Sequence, residues 1–599
     1  MAKHKLIEKL FNLRRLHLSD RNFILIVSSM VGIASGFAAV LLKLSVHHIH
    51  DHITHVNFAE NWGLLLFPIL GLIITTIIAK TLYKESSVGH AITDILHDIF
   101  KNNSNIGKSK MYSRIVTSMF TVGFGGSVGL ESPIVLTGGA IGSNIGQSFL
   151  LDYKTKTLMI GCGTAGVISA IFNAPITGLI FSIEVILTGV SVANFVPLLI
   201  SSVSAAIVSS LLVGEEVLFS FKIVEAFQAH HIPFYIVLGV VAGFMSIYFN
   251  QTLHQMEHLM EERFPNRYRR ALVGGGLLSI FIFIFPPIYG EGYESIKALL
   301  NGEEHSLLVR AELFESLIPN TKAWLFLAYI IMVLFAKVIG ASLTLSSGGA
   351  GGTFGPALVI GGLTGFAFAR LVNLLGLAEL HESHFILVGM SGVLCGVVYA
   401  PLTAIFLIAE ITGGYTLFVP LMLVSAIAYT TVSVVNPDAP HVSTLKARGE
   451  YLKGDRDMQV LDRLNINKLI ETNFVTVPVK GYLSDLVEAI SVSKRSVFPV
   501  VNDKGRLKGI ITLDQVREIM FDQEQQQKVK IENVMMQAPD VVYYGERMQT
   551  VMRKFEKEDA WNLPVIDEDK VYVGMVSKSR IFSVYRKQLQ RLNKEWVGN

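Results

Sequence analysis

One carboxylate, Glu131, stands in the glycine-rich, apolar stretch Gly123–Gln147, with Pro133 just beyond it. A Pro in the first turn and small polar residues around it predict a helix that starts at about Leu130 to Ser132, behind a flexible glycine loop. The start of a helix presents unpaired amides and partial positive charge, and so attracts anions. An ionisable group within apolar sequence is costly and is usually retained for function. Glu131 is therefore read as a carboxylate at an anion seat rather than as the cap of a solvated loop. If the surroundings are membrane, the loop must line a protein-enclosed or watery cavity.

A second break of the same kind follows 200-odd residues later, from Ser346 to Pro356. Its glycines let backbone approach an ion closely, and Pro356 fits a helix start. No strand is predicted ahead of it, which argues against a nucleotide-binding turn. Two Ala-Pro breaks are mirrored as well: Phe172-Asn173-Ala174-Pro175 leads to Glu184-Val185, and Ala400-Pro401 leads to Glu410. Gly89-His90-Ala91-Ile92-Thr93 opens a helix too short to span a bilayer, as half-membrane elements are. His47, His48, His50, His52 and His55 could approach one another at helical spacing, but no carboxylate trio or paired cysteine supports a metal site, and none is expected.

The elements that carry these residues are membrane helices. The chain has 599 residues, 51% hydrophobic and only 17% charged, with 51 glycines and a mean hydropathy of +0.48. Apolar segments of spanning length recur from about Asn22 to Val435, whereas the remainder mixes charged and apolar residues like a soluble domain, so the chain divides near Lys446. Residues 1–20 read as a short amphipathic helix on the membrane surface. The bases ahead of the first span place that end in the cytoplasm, and no cleavable signal peptide is seen. Cys162 and Cys395 are read as small core residues. A net charge of +3 without a basic, aromatic-rich patch gives no reason to expect nucleic acid. The helices from about 230 to 450 repeat the organisation of those from about 21 to 215, and interrupted helices at matching positions point to a midplane transport site.

The motifs resemble those of one family. Gly129-Leu130-Glu131-Ser132-Pro133 resembles the glutamate-bearing motif of CLC chloride channels and transporters, usually Gly-Lys/Arg-Glu-Gly-Pro, with Leu130 replacing the base and Ser132 the second glycine. Gly351-Gly352-Thr353-Phe354-Gly355-Pro356 is similar to the family's Gly-Gly-x-Phe-x-Pro. His90 falls at the serine of its first signature, and His441 at its anion-binding tyrosine when counted back from Leu445, Arg448 and Gly449. The resemblance implies an all-α polytopic membrane protein, with a CLC-type inverted repeat of broken helices spanning 21–450. It implies a Glu131 gate and an anion site formed by His90, Leu130, Glu131, Ser132, Thr353, Phe354 and His441. Two histidines in place of hydroxyl donors would make anion binding more pH-dependent. Glu184 and Glu131 are the candidates for a proton route. Val185 stands where many antiporters carry their internal glutamate and cannot hold a proton.

The tail holds two similar units, expected at 461–522 and 529–590. Val497–Val501 with Gly509–Thr512, and Asn562–Ile566 with Gly574–Ser577, pair short strands between amphipathic helices. They resemble a tandem pair of CBS domains, a small α/β cytoplasmic module. Gln515 and Arg580 occupy the positions where nucleotide-binding pairs carry a ribose-holding Asp, with Asp514 one residue short. A structural or dimer-stabilising module is therefore favoured over adenine-nucleotide regulation.

The expectation is a non-enzymatic chloride transport protein, leaning to passive, channel-like permeation and without a resident cofactor. A proton-coupled antiporter and a CBS-regulated membrane sensor are the alternatives. By resemblance it is a homodimer in the lipid bilayer, multi-pass, in the cytoplasmic (inner) membrane of a prokaryote, with both termini cytoplasmic.

Overall fold

The computed structural model describes residues 19–54, 62–83, 91–187, 195–214, 227–303, 307, 322–447 and 464–595. The chain forms two compact units, one ending at Tyr451 and the other starting at Leu452. The N-terminal amphipathic helix expected over residues 1–20, apart from its last two residues, lies outside the described residues, as do His55, His90, Arg448 and Gly449.

The first unit is helical. Seven helices among the described residues are long and apolar enough to cross a membrane. The first, Asp20–Thr54, has 35 residues and so rises about 52 Å, more than an apolar core needs. Shorter apolar helices, among them Phe67–Thr81, Glu382–Val398 and Pro401–Ile411, cannot cross alone.

The duplication extends to backbone angles. Helix Tyr153–Phe172 ends at left-handed Asn173 (φ 54°), and helix Glu382–Val398 ends at left-handed Tyr399 (φ 63°). Each is followed by an alanine, Ala174 at φ −129°, ψ 82° and Ala400 at φ −129°, ψ 78°, and then by a helix that a proline begins. Proline pre-sets the first turn and gives up no hydrogen bond there. One difference breaks the likeness. The first of these helices, Pro175–Phe181, widens into a π-helical turn at Ser182–Ile186, which carries Glu184 and Val185, whereas Glu410 sits in regular helix.

The second unit contains two three-stranded sheets of the same topology. In one, β1 (Val477–Pro478) runs parallel to β2 (Val497–Val501), which pairs antiparallel with β3 (Leu507–Thr512). In the other, β4 (Val542–Tyr543), β5 (Asn562–Ile566) and β6 (Tyr572–Ser577) repeat that order. Helix Leu483–Val492 buries Leu483 and Leu486 with Phe498 and Val500, and helix Met548–Lys557 buries Val551 and Phe555 with Leu563 and Val565. Burial on one helix face and one sheet face is the ordinary source of stability for so small a layer.

Candidate functional site

Two broken helices begin side by side. Helix Glu131–Ser148 follows Leu130 and helix Phe354–Leu374 follows Thr353, and in neither does the side chain of that preceding residue cap the first amides. The loops ahead of them are tied by a two-hydrogen-bond bridge: the Gly129 amide donates to the Gly352 carbonyl at 3.1 Å, and the Gly352 amide to the Gly129 carbonyl at 2.9 Å. Further ties run from the Ser127 amide to Thr344 Oγ1 (3.1 Å) and from the Ala350 amide to Thr121 Oγ1 (3.0 Å). The starts of two repeats therefore share one rigid junction. Their first amides, which have no partner within their own helices, form an electropositive seat.

The Glu131 carboxylate fills part of that seat. It is buried, at 2% exposure. One oxygen accepts from the Gly355 amide of the opposite helix at 3.3 Å, and the other from the Tyr293 hydroxyl at 2.7 Å. Position 129 has to be glycine for this placement, since a Cβ there would collide with Glu131 Oε2. Any residue but glycine would push the carboxylate out.

On one side of Glu131 lies a cavity of about 780 Å³. Ser132, Thr353 and His441 all line it, so three residues predicted from distant parts of the sequence share one space. Ala91 and Thr93 line it too; Ala91 follows His90, which lies outside the described residues. His441 is the second residue of helix Pro440–Ala447 and is half-buried. Phe354 is 4% exposed and packs its ring against Phe172 (5.7 Å between centroids) and Phe181 (6.4 Å), at the ends of two broken helices. Leu130 is buried and contributes its amide rather than its side chain.

Beyond Glu131 is a cluster that sequence reasoning missed. The Leu130 amide donates to Glu291 Oε1 at 3.2 Å. Lys337, wholly buried in helix Lys322–Ser346, donates to Ser127 Oγ at 3.0 Å and to the carbonyls of Gly290 (2.8 Å) and Ile288 (3.3 Å). Tyr293 begins helix Tyr293–Leu300. A lysine within an apolar helix and a glutamate between two glycines were the available signals. Neither belongs to a motif, and only folding brings them to the start of the Glu131 helix.

Glu184 and Glu410 are occupied elsewhere. Glu184 accepts from the amides of Leu402 (3.1 Å) and Thr403 (2.9 Å) and from the Thr403 hydroxyl (2.7 Å). Glu410 accepts from the amides of Ile176 (2.9 Å) and Thr177 (2.7 Å) and from the Thr177 hydroxyl (2.6 Å). Each caps the helix that bears the other, with both carboxylate oxygens in use. Val185, beside Glu184, is 3% exposed.

In the second unit, the Gln515 side chain accepts from the Thr512 amide at 2.8 Å, closing a capping box. Asp514 is paired with Arg517, and the Arg580 amide donates to Ser577 Oγ at 3.2 Å. Among the described residues, no group of three or more His, Cys, Asp or Glu is placed to hold a metal.

Comparison with known proteins bears on this geometry. A family model described as voltage gated chloride channel matches residues 70–433, and one described as CBS domain matches 466–522 and 531–587. Chloride channel protein CLC-e of Arabidopsis thaliana is 22% identical over 82% of this chain and 75% of its own. The H(+)/Cl(-) exchange transporter ClcA of Vibrio parahaemolyticus is 24% identical over 67% of this chain and 84% of its own. Among solved structures, a slow cyanobacterial Cl-/H+ antiporter superposes with a TM-score of 0.61 at 20% identity, covering 72% of this chain and 98% of that one. A eukaryotic CLC transporter gives 0.60 at 17% identity, covering 94% and 99%. At these identities the structures show a shared fold.

Proposed function

Because the chain belongs to the voltage gated chloride channel family, a family of multi-pass membrane proteins that carry chloride, we propose that Glu131 gates its anion pathway and that permeation is passive. The observation that carries the gate is the bond from the Gly355 amide to Glu131 Oε2. A carboxylate from one repeat sits on an amide of the other repeat's helix start, where a transported anion would be held. Dehydrated chloride binds to such amides, and Glu131 competes with it. Protonation or displacement of the carboxylate opens the path. Ser132, Thr353 and His441 supply the cavity from which the anion reaches the seat, with Phe354 beside it.

Passive permeation is supported by Glu184 and Val185. The first spends both oxygens as a helix cap, and the second is apolar and buried, so neither offers a proton acceptor on the cavity side. Proton-coupled exchange is the second reading, favoured by the likeness to the Vibrio exchange transporter and the cyanobacterial antiporter and by the Tyr293 hydroxyl on Glu131. We take the protein to be a homodimer with one pathway per subunit and both termini cytoplasmic, and the CBS pair to be a structural or dimer-stabilising module.

Chloride efflux and proton movement measured together from liposomes test both points. Glu131→Gln is expected to abolish most of the pH dependence of chloride flux; an unchanged profile overturns the gate. Chloride flux without proton movement supports passive permeation. Proton uptake driven uphill by chloride overturns it and establishes exchange.

A further inference from the structure

A second acidic residue stands next to Glu131. Glu291 Oε1 lies 3.2 Å from the amide of Leu130, the residue immediately before Glu131. That amide belongs to the same electropositive helix start that would hold a passing anion. A carboxylate already rests there.

Its position is on the side of Glu131 away from the cavity. Three consecutive residues mark the line: Ser132 faces the cavity, Glu131 reaches Tyr293 and Gly355, and Leu130 meets Glu291. Helix Lys322–Ser346 confirms the order independently. Its Lys337 holds the loop of Glu291 through the Gly290 carbonyl, and its Leu345 lines the cavity, eight residues and so about 12 Å further along the axis.

The loop that carries Glu291 is held by its backbone. Gly290 (φ 58°) and Gly292 (φ 90°) both adopt the left-handed conformation, so Glu291 stands between two turns. Lys337 clamps the carbonyls of Gly290 and Ile288. Glu291 itself is half-buried, in contrast to the buried Glu131. Of the two carboxylates it is therefore the better placed to take a proton from the far-side solution. The charged and titratable groups around it are Glu131 and Lys337, Lys43 of the first helix, and the Tyr293 hydroxyl, with His50 of the first helix against Tyr289 (5.4 Å between rings).

We propose that Glu291 is a second gating carboxylate, which an anion passing Glu131 has to displace from the Leu130 amide to leave on the far side. The proposal rests on the Glu131 gate reading. The two carboxylates then form a tandem gate: one on the opposite helix's amide, one on the Glu131 helix's own. Protonation of Glu291 weakens its hold on the amide, so the far-side solution controls this gate.

The test uses the full chain in liposomes, with chloride efflux read against pH and chloride concentration for wild type, Glu131→Gln, Glu291→Gln, Glu291→Ala and the Glu131→Gln, Glu291→Gln double variant. Gln keeps an acceptor for the Leu130 amide, so a merely structural cap survives that change and the chain folds. Expected for Glu291→Gln is a rise in neutral-pH efflux of roughly five- to tenfold, the difference between a charge-assisted hydrogen bond and the neutral one that Gln keeps, with a lowered chloride half-saturation. The double variant should lose the pH dependence that Glu131→Gln retains. Efflux, pH profile and half-saturation of Glu291→Gln equal to wild type, with Glu291→Ala altering only thermal stability, would overturn the second gate while leaving the first. An unchanged profile in Glu131→Gln overturns the first gate, and the second with it.

Discussion

The two repeats of the membrane unit use the same backbone device and opposite chemistry. Each brings a helix to a start that its own preceding residue does not cap, at Leu130 and at Thr353, behind a glycine loop. The first repeat places a carboxylate in its opening turn; the second places Phe354 and Gly355, and Gly355 gives its amide to that carboxylate. Elsewhere the repeats are acid for acid: Glu184 caps the helix of Glu410, and Glu410 caps the helix bearing Glu184. Symmetric carboxylates with all oxygens engaged hold the halves together. The asymmetric one, Glu131, holds one oxygen on an amide of the opposite repeat's helix by a longer bond of 3.3 Å and has no mirrored acid, which is why the gate is proposed there.

The largest effect should come from removing that asymmetry. Glu131→Gln deletes the charge competing for the shared amides, and chloride flux at high pH should rise on the order of tenfold or more, since each 1.4 kcal/mol is a factor of ten. A stopped-flow or electrode assay across pH checks it. The symmetric pair should behave in the opposite way. Glu410→Ala leaves the Ile176 and Thr177 amides without their acceptor, and about 1–3 kcal/mol of stability should be lost for each buried donor stranded. Melting in detergent reads the loss, while flux per folded protein keeps its pH profile. A changed profile would mean that the caps also take part in transport.

A smaller effect should follow from trimming the gate's partner. Tyr293→Phe removes the 2.7 Å hydrogen bond to Glu131 and leaves the ring in place. One such bond is worth about 0.5–1.5 kcal/mol, so opening should become severalfold easier at a given pH. The smallest concerns the second unit. Burial works to raise the Glu471 carboxyl, but hydrogen bonds from Ser577 (2.6 Å) and Arg495 (2.5 Å) and the charge of Arg495 outweigh it and hold the group below its ordinary 4.5. A depressed carboxyl stabilises the fold fully above its unfolded value and loses that contribution as pH falls through the lower folded one. Limited proteolysis within residues 464–595 should therefore accelerate below about pH 4.5 in wild type. Glu471→Gln should cleave faster at neutral pH and respond less to acid.

Much of this protein is written in local sequence. The spans follow from runs of apolar residues that the bilayer requires to be helical. The broken helices follow from Gly and Pro, which set backbone angles within a few residues of themselves; Asn173-Ala174-Pro175 and Tyr399-Ala400-Pro401 show it. Glu131 was legible because a charge in apolar sequence is conspicuous, and the strand pairs of the second unit because their patterns repeat.

What surrounds Glu131 was decided only by the tertiary structure. Tyr293 and Gly355 meet it across 162 and 224 residues, and Glu291 meets Leu130 across 161. No periodicity encodes such separations, since they depend on how two sets of helices pack. The same holds for Glu184 and Glu410. Their mirrored places are visible in the sequence, but the exchange of caps between helices exists only once the repeats have met.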